Sequence, residues 1–279
     1  MLRPGLWYTV ICIRLYTGGT GLKAVVKVGT STLAHATGRL NIRRIEGLCK
    51  VLSDLKNAGH QIILVSSGAI GMGVGRLGLP GRPADMPTKQ ASAAVGQCEL
   101  MYTYDKLFSE YSHTVAQILI TSEDLADTGR RENLHNTLAR LLELGALPIV
   151  NENDTVSTAE IAVGDNDTLA ARLCASLEAQ LLVILSDIDG LYTADPHTHP
   201  AARLLRRVEE ITPDIVALAG GAGSSLGTGG MATKLRAGQI VNDAGADMVI
   251  ANGAEPSVLY TIFEGGEAGT RFAAQKREG

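Results

Sequence analysis

A glycine-dense run at residues 227–234, Gly-Thr-Gly-Gly-Met-Ala-Thr-Lys, is the stretch of this sequence best suited to bind an anion. Residues 235–241 have helical spacing, so the run places backbone N–H groups and a helix N-terminus beside the ammonium of Lys234. We expect the anion to be phosphate. The run is neither a P-loop, since Thr233 precedes the lysine, nor a GxGxxG motif, since alanine replaces the third glycine. A surface linker is an equally good interpretation, because residues 219–225 have linker composition.

Four further groups of polar residues stand where buried strands are expected to end. In open parallel α/β sheets, ligands bind beyond the carboxyl ends of the strands, so residues at those ends are candidates for chemistry. Parallel strands share that edge, and we therefore expect the four groups to converge on it. They are residues 27–31, 66–68, 151–154 and 186–190.

Lys27 lies within the otherwise apolar run 24–28, where its charge is costly unless an anion answers it. Gly29 would let a ligand approach the backbone closely. A lysine at a strand end can also reach the rim and keep its ammonium in water, and such lysines are common. Lys27 alone therefore does not identify a site.

Ser66, Ser67 and Gly68 precede a small-residue turn at 69–75, and their hydroxyl and N–H groups could hold an oxyanion. Residues 73–78 spell GxGxxG, but they stand well past the strand and run into a Pro-rich loop, which disfavours a dinucleotide site. Ser67 is not within a GxSxG motif, which argues against the nucleophile elbow of a hydrolase.

Two aspartates occur within three residues at a predicted helix start, Gly-Asp-Asn-Asp-Thr at 164–168. Helix capping and the helix dipole account for one of them. The other, Asp165 or Asp167, could orient lysines or the water molecules of a bound Mg²⁺.

The composition disfavours some classes of protein. The 279 residues are 45% hydrophobic and 4% aromatic, include 32 glycines and carry a formal net charge of −4. This balance suits parallel strands under small-residue helices. It gives no general surface for nucleic acid or a membrane, so anion binding must be arranged locally.

Four cysteines stand far apart without a CxxC pair, which favours buried thiols in a reducing cytosol over disulfides or zinc. His197 and His199 flank one threonine in a Pro-bounded segment, where we expect loop surface. We assign no metal ligands. Residues 1–21 hold an apolar run too short to span a bilayer, and we treat them as an N-terminal extension.

Apolar runs of strand length alternate with helical patterns along the chain, which predicts a mostly parallel sheet covered on both faces by helices. We expect residues 22–279 to form a single domain. The predicted strands are residues 24–28, 61–65, 115–120, 147–150, 181–185 and 247–251. The predicted helices are residues 40–58, 89–111 and 132–144, a helix that opens at residues 164–168 and runs through residue 177, the helix after the glycine run, and a short helix from residue 255.

Seven motifs occur in order along the chain, at residues 25–31, 65–70, 89–97, 151–154, 164–167, 190–196 and 227–234. Together they resemble the amino acid kinase family, in the branch whose phosphoryl acceptor is glutamate. The resemblance implies a three-layer αβα sandwich with a mostly parallel central sheet, whose N-terminal half holds the amino acid and whose C-terminal half holds ATP with Mg²⁺. It also implies phosphorylation of the L-glutamate side-chain carboxylate, the first step of proline biosynthesis, in a cytoplasmic homo-oligomer inhibited by proline.

Carried over by motif position, the resemblance assigns Lys27, Lys234 and Asp167 to catalysis. It assigns glutamate binding to Ser67, Asp154 and Asn166. Asp154 would pair with the substrate ammonium, and Ser67 and Asn166 would donate hydrogen bonds to its carboxylates. ATP would contact Lys27, Ser186, Asp187, Thr228, Gly229, Gly230, Met231, Ala232, Thr233 and Lys234.

Departures from the family pattern leave alternatives open. Ser66 and Ser186 stand where threonine is common, and because many members continue into a C-terminal PUA domain, we expect none in a chain that ends at Gly279. A sibling kinase acting on aspartate, N-acetylglutamate or a nucleoside monophosphate would share the ATP half and differ at residues 151–166. A non-catalytic sensor of nucleotide or proline is disfavoured, because both lysines and the aspartate are present.

Overall fold

The computed structural model describes residues 21–35, 39–156, 166–196, 198–219 and 230–275. Some sequence-based expectations lie outside these ranges. They concern the extension at residues 1–20, Asp165, His197, Thr228 and Gly229.

One eight-stranded sheet organises the described part of the chain. Its strands are β1 (Lys23–Val28), β2 (Gln61–Ser66), β3 (Val115–Ile120), β4 (Leu147–Glu152), β5 (Leu181–Ser186), β6 (Arg207–Val208), β7 (Asp247–Asn252) and β8 (Thr270–Phe272). The spatial order is β3-β4-β2-β1-β5-β7-β8-β6. Every neighbouring pair is parallel except β7 with β8.

Helices connect and cover the strands. They are α1 (Thr30–Leu33), α2 (Ile42–Asn57), α3 (Ala69–Arg76), α4 (Met86–Ser109), α5 (Ser122–Ala126), α6 (Thr128–Glu143), α7 (Asn166–Ser176), α8 (Pro213–Leu218), α9 (Met231–Asp243) and α10 (Val258–Phe263). No helix in the described ranges combines the length and the apolar character needed to cross a membrane.

Side chains of β1 alternate between two separate cores, as expected for a strand with both faces buried. Val25 packs in the core that α6, α7 and α9 cover, whereas Val26 packs in the core that α2, α4 and α10 cover. The predicted αβα sandwich with a mostly parallel sheet is therefore confirmed.

The turn predicted at residues 69–75 is wrong, because these residues form helix α3. Glycines on both helices permit α3 and α4 to pack closely. A Cβ added to Gly73 of α3 would lie 1.8 Å from the Ser92 carbonyl oxygen, and a Cβ added to Gly96 of α4 would lie 1.8 Å from the Ala69 carbonyl oxygen. Glycine costs a helix about 1 kcal/mol relative to alanine, and the close packing of α3 on α4 offsets that cost. A glycine-rich sequence is thus ambiguous between a turn and a close helix contact.

Two short strands and two short helices, β6, β8, α1 and α8, were not predicted, because segments of two to six residues carry too little periodicity. The cysteine prediction is correct for Cys49 and Cys174, which are buried and free, and wrong for Cys98, which is exposed on α4. Cys12 lies outside the described residues.

Candidate active site

The site lies where the direction of strand addition reverses. From β1 the sheet extends through β2 and β4 on one side and through β5 and β7 on the other. Neighbouring loops diverge at such a point and open a crevice at the carboxyl ends of the strands. Lys27 lies near the end of β1 and Ser186 ends the adjacent β5, so the predicted convergence of polar strand ends is confirmed.

Lys27, Asp167 and Lys234 form a buried ion-paired group, which we call the lysine–aspartate triad. The Lys27 ammonium lies 2.7 Å from Asp167 Oδ1, and the Lys234 ammonium lies 3.1 Å from Asp167 Oδ2. The side chain of Asp167 is 1% exposed and the two lysine side chains are 9% and 5% exposed. Two ammonium groups thus share one carboxylate.

The elements that carry the triad explain how residues far apart in sequence meet. Asp167 lies in the first turn of α7, which packs beside α9 and against β1. Lys234 lies one turn into α9. The N-cap residue of this helix is Gly230, which has no side chain to cap the first N–H groups. The Thr233 hydroxyl donates to the Gly230 carbonyl oxygen at 2.8 Å and reaches Asp167 Oδ2 at 3.4 Å. The start of α9 therefore presents backbone N–H groups beside the triad.

The triad favours an ionised Asp167. Burial raises the pKa of this carboxyl, but the positive charges of Lys27 and Lys234 outweigh burial and hold the pKa below its ordinary value. The carboxylate is therefore negative at neutral pH and fixes the positions of both ammonium groups.

A second buried group contains neutral side chains: Gln97, Asn151, Asn166 and Ser67, which we call the amide chain. Asn151 Nδ2 donates to Gln97 Oε1 at 3.0 Å. Asn166 Nδ2 donates to Asn151 Oδ1 at 3.1 Å and to Ser67 Oγ at 2.8 Å. The amide chain reaches from α4 through the end of β4 to the first residue of α7.

The neighbours of Asn166 orient its amide. Both N–H groups of its amide are occupied by Asn151 and Ser67, so neither remains to donate to a substrate carboxylate. Its Oδ1 is buried and has no hydrogen-bond partner among the described residues. Asn166 therefore offers an acceptor to a ligand, whereas Ser67, which accepts through Oγ, retains its hydroxyl proton for donation.

Asp154 lies in the turn after β4 and is partly buried. Burial, and to a smaller extent the nearby Glu152 carboxylate, raise its pKa to about 6, although the positive charge of Arg82 acts in the opposite direction. The ionised form of Asp154 is thus disfavoured, and a bound cation would stabilise it.

A cavity of about 370 Å³ opens beside these groups. Ser67 and Asp187 are among its polar lining residues, and the Ser186 hydroxyl donates to Asp187 Oδ1 at 3.1 Å. The apolar part of its lining consists of Leu33, Ala34, Leu40, Met72 and Leu100.

The structure places most of the residues that the sequence singled out around one crevice. The three catalytic candidates form ion pairs through Asp167. Two of the three glutamate-binding candidates, Ser67 and Asn166, are hydrogen-bonded to each other. The start of α9 contains four of the ATP-binding candidates: Gly230, Met231, Ala232 and Thr233. Gln97 was missed as a site residue. It belongs to the motif at 89–97, but nothing in a helical sequence indicates which polar residue faces a site.

Comparison with known proteins decides the family. The model of the amino acid kinase family matches residues 23–252. The chain belongs to the amino acid kinase family. Within that family, it is 51% identical to glutamate 5-kinase of Clostridium perfringens over 92% of this chain and 97% of that protein. It is 53% identical to glutamate 5-kinase of Clostridium tetani over 90% of this chain and 94% of that protein.

Solved structures of other kinases share the fold at low sequence identity. Carbamate kinase from Giardia lamblia bound to AMP-PNP superposes with a TM-score of 0.65 at 17% identity, covering 91% of this chain and 98% of that chain. UMP kinase from Bacillus anthracis gives a TM-score of 0.62 at 16% identity, covering 92% and 98%. These likenesses support the αβα architecture.

Proposed function

We propose that this protein transfers the γ-phosphoryl group of ATP to the side-chain carboxylate of L-glutamate, forming L-glutamyl 5-phosphate in the first step of proline biosynthesis. The sequence identity of 51% and 53% to two glutamate 5-kinases supports this choice of acceptor. The observation that carries the chemistry is the lysine–aspartate triad, in which two ammonium groups meet at one carboxylate.

The reaction requires positioning and charge stabilisation more than proton transfer. A glutamate side chain has a pKa of about 4.3, so the attacking carboxylate is already ionised at neutral pH and needs no general base. The attack joins two anions and spreads negative charge over the transferred phosphoryl oxygens. Preformed cationic groups in a buried site stabilise that charge strongly.

Lys27 and Lys234 supply the positive charge on opposite sides of the phosphoryl group in this proposal. Asp167 holds both ammonium groups in place and does not accept a proton, because its pKa lies below the ordinary value. Two ammonium groups so close together suit the binding of an incoming phosphoryl group. The N–H groups at the start of α9, with Gly230, Met231, Ala232 and Thr233, would bind the phosphates of ATP. We propose Thr228 and Gly229 as part of the same loop.

Mg²⁺ fits the donors beside the triad. This ion usually keeps several waters and is bound by one or two carboxylates together with substrate phosphates. Asp187 lines the cavity, whereas both oxygens of Asp167 already bind lysines. We propose that Asp187 holds the ion through water and that Mg²⁺, when bound with ATP, neutralises phosphate charge.

The acceptor half would bind the ammonium of glutamate through hydrogen-bond acceptors and a carboxylate of glutamate through a hydrogen-bond donor. Asp154 would pair with the α-ammonium, since burial disfavours its ionised form and a bound cation would stabilise it. Ser67 would donate to a carboxylate of the substrate, and Asn166 Oδ1 would accept from the ammonium. This division assigns the N-terminal half to glutamate and the C-terminal half to ATP.

A hydroxylamine trap tests the proposal. Folded protein with ATP, Mg²⁺ and L-glutamate should yield the γ-glutamyl hydroxamate, and aspartate, N-acetylglutamate and UMP should react far more slowly. Absence of hydroxamate from glutamate, with turnover of a competing acceptor, would assign a sibling activity instead.

Three further properties are proposed from the family resemblance alone. They are inhibition by proline, assembly as a homo-oligomer and a cytoplasmic location. Proline added to the hydroxamate assay, light scattering of the purified protein and fractionation of cells test them in turn.

A further inference from the structure

We infer that Gln97 is a positioning residue for the amino acid substrate, acting through Asn151 to hold the Asn166 amide in place. This inference rests on the proposed function. It adds a residue on α4 whose side chain lies at the far end of the amide chain from Ser67.

The direction of every hydrogen bond in the amide chain follows from one backbone group. The backbone N–H of Glu152 donates to Asn151 Oδ1 at 2.9 Å, and an N–H can only donate. Asn151 Oδ1 is therefore fixed as the acceptor, and its Nδ2 must point to Gln97. Gln97 has to present Oε1 there, since two amide N–H groups facing each other would lose the bond to Asn151. Gln97 Nε2 is then buried without a hydrogen-bond partner among the described residues.

The same constraint sets the next amide. Asn151 Oδ1 also accepts from Asn166 Nδ2, so the Asn166 amide cannot rotate by half a turn without losing this bond and the bond to Ser67. The Asn166 Oδ1 atom is therefore held where no described residue donates a hydrogen bond to it. An acceptor fixed in this way selects a hydrogen-bond donor such as an ammonium group.

Burial makes the arrangement rigid. Gln97, Asn151 and Asn166 are 9%, 3% and 8% exposed, so water competes little for their hydrogen bonds. Gly96, next to Gln97, lies against the backbone of α3, which fixes the depth of α4 at this point. Gln97 thus holds the Nδ2 end of the Asn151 amide, whose Oδ1 end holds Asn166.

The consequence is selectivity for an acceptor with an α-ammonium. Glutarate has both carboxylates of glutamate but no ammonium, so it gains nothing from Asn166 Oδ1. Loosening the amide chain should therefore weaken the binding of glutamate more than the binding of glutarate.

Substitution at Gln97 tests this. Gln97→Met has nearly the same shape but no acceptor for Asn151, and Gln97→Asn keeps an amide that is one methylene too short. Each should raise the KM for glutamate about tenfold, the size expected for one net hydrogen bond, with kcat and the KM for ATP little changed. The preference for glutamate over glutarate should fall by a similar factor.

Gln97→Glu is the matched control, because a carboxyl oxygen can accept from Asn151 in place of Oε1. It should restore the KM for glutamate to within a few-fold of the wild type. Thermal melting of all three variants separates positioning from loss of fold, and Gln97→Asn carries the test if the methionine variant does not fold.

Equal loss of glutamate and glutarate activity in a folded variant would overturn the inference, as would an unchanged KM for glutamate. Both results presuppose an active wild type. A wild type that forms no hydroxamate from glutamate would defeat the proposed function instead, so the two failures can be told apart.

Discussion

Two buried polar groups meet at the first turn of α7 and differ in how they are balanced. Asp167 belongs to the triad, where two ammonium groups share one carboxylate. Asn166 belongs to the amide chain, which is uncharged, is fixed by a backbone N–H and holds one acceptor, Asn166 Oδ1, without a partner among the described residues. In the proposed function, the ammonium groups of the triad bind the phosphoryl group and the Asn166 acceptor binds the substrate ammonium. The comparison teaches how one helix terminus would align both substrates.

The largest effect is expected from breaking the triad. Lys234→Met should lower kcat by about 10³-fold, because the ammonium stabilises charge that develops only during transfer. The KM for glutamate should change little, and the fold should persist because Asp167 keeps its pair with Lys27. Steady-state kinetics and melting curves measure both.

Arg236→Met is the control for the loss of a positive charge on α9. Arg236 is exposed on the same helix, and its replacement should leave kcat unchanged. Near-normal turnover by Lys234→Met would remove this lysine from the mechanism.

Breaking the acceptor side should affect binding more than turnover. Asp154→Asn should raise the KM for glutamate about 30- to 100-fold, corresponding to about 2 to 3 kcal/mol for a lost charged hydrogen bond. At saturating glutamate, kcat should stay within a few-fold of the wild type. Thr155→Ala, on the exposed part of the same turn, is the control and should behave as the wild type. A large loss of kcat without a change in KM would place Asp154 among the groups that act on the transition state.

The pH dependence sharpens the comparison between the two groups. Because the pKa of Asp154 is raised from 3.8 to about 6, kcat/KM for glutamate should fall as pH drops below about 6, and Asp154→Asn should flatten this profile. A carboxyl whose folded pKa is raised stabilises the fold below its ordinary pKa, and that contribution is lost as pH rises through about 6. Asp154→Asn without substrate should therefore not be less stable than the wild type at pH 7. A profile unchanged by the substitution would separate Asp154 from substrate binding.

The smallest catalytic effect is expected from the helix contact that supports the amide chain. Gly96→Ala should destabilise the fold by about 1–3 kcal/mol, because its Cβ would overlap the Ala69 carbonyl oxygen. It should also raise the KM for glutamate while leaving the KM for ATP unchanged. Gly75→Ala lies in α3 with nothing within 4 Å of the added Cβ, and it should be neutral or slightly stabilising. Equal melting temperatures for the two variants would contradict the close packing of α3 on α4.

The sequence allowed the sheet to be predicted, because buried strands leave local patterns of apolar residues. Lys27, Asp167 and Lys234 were assigned together through the family resemblance, and the structure brings them into contact. Gln97 and the polarity of Asn166 could not be predicted, since the direction of an amide depends on neighbours from three separate elements. Helix α3 was missed for a related reason. Glycine is favourable at position 73 of a helix only because the backbone of α4, at Ser92, packs against it.

A structure with ADP, Mg²⁺, aluminium fluoride and glutamate tests the central claim most directly, because the planar fluoride mimics the phosphoryl group in transfer. The account predicts that the ammonium groups of Lys27 and Lys234 both contact the fluoride while Asp167 holds them, with the glutamate side-chain carboxylate in line on the opposite side from ADP. A complex in which either ammonium remains on Asp167 alone, away from the fluoride, would contradict it.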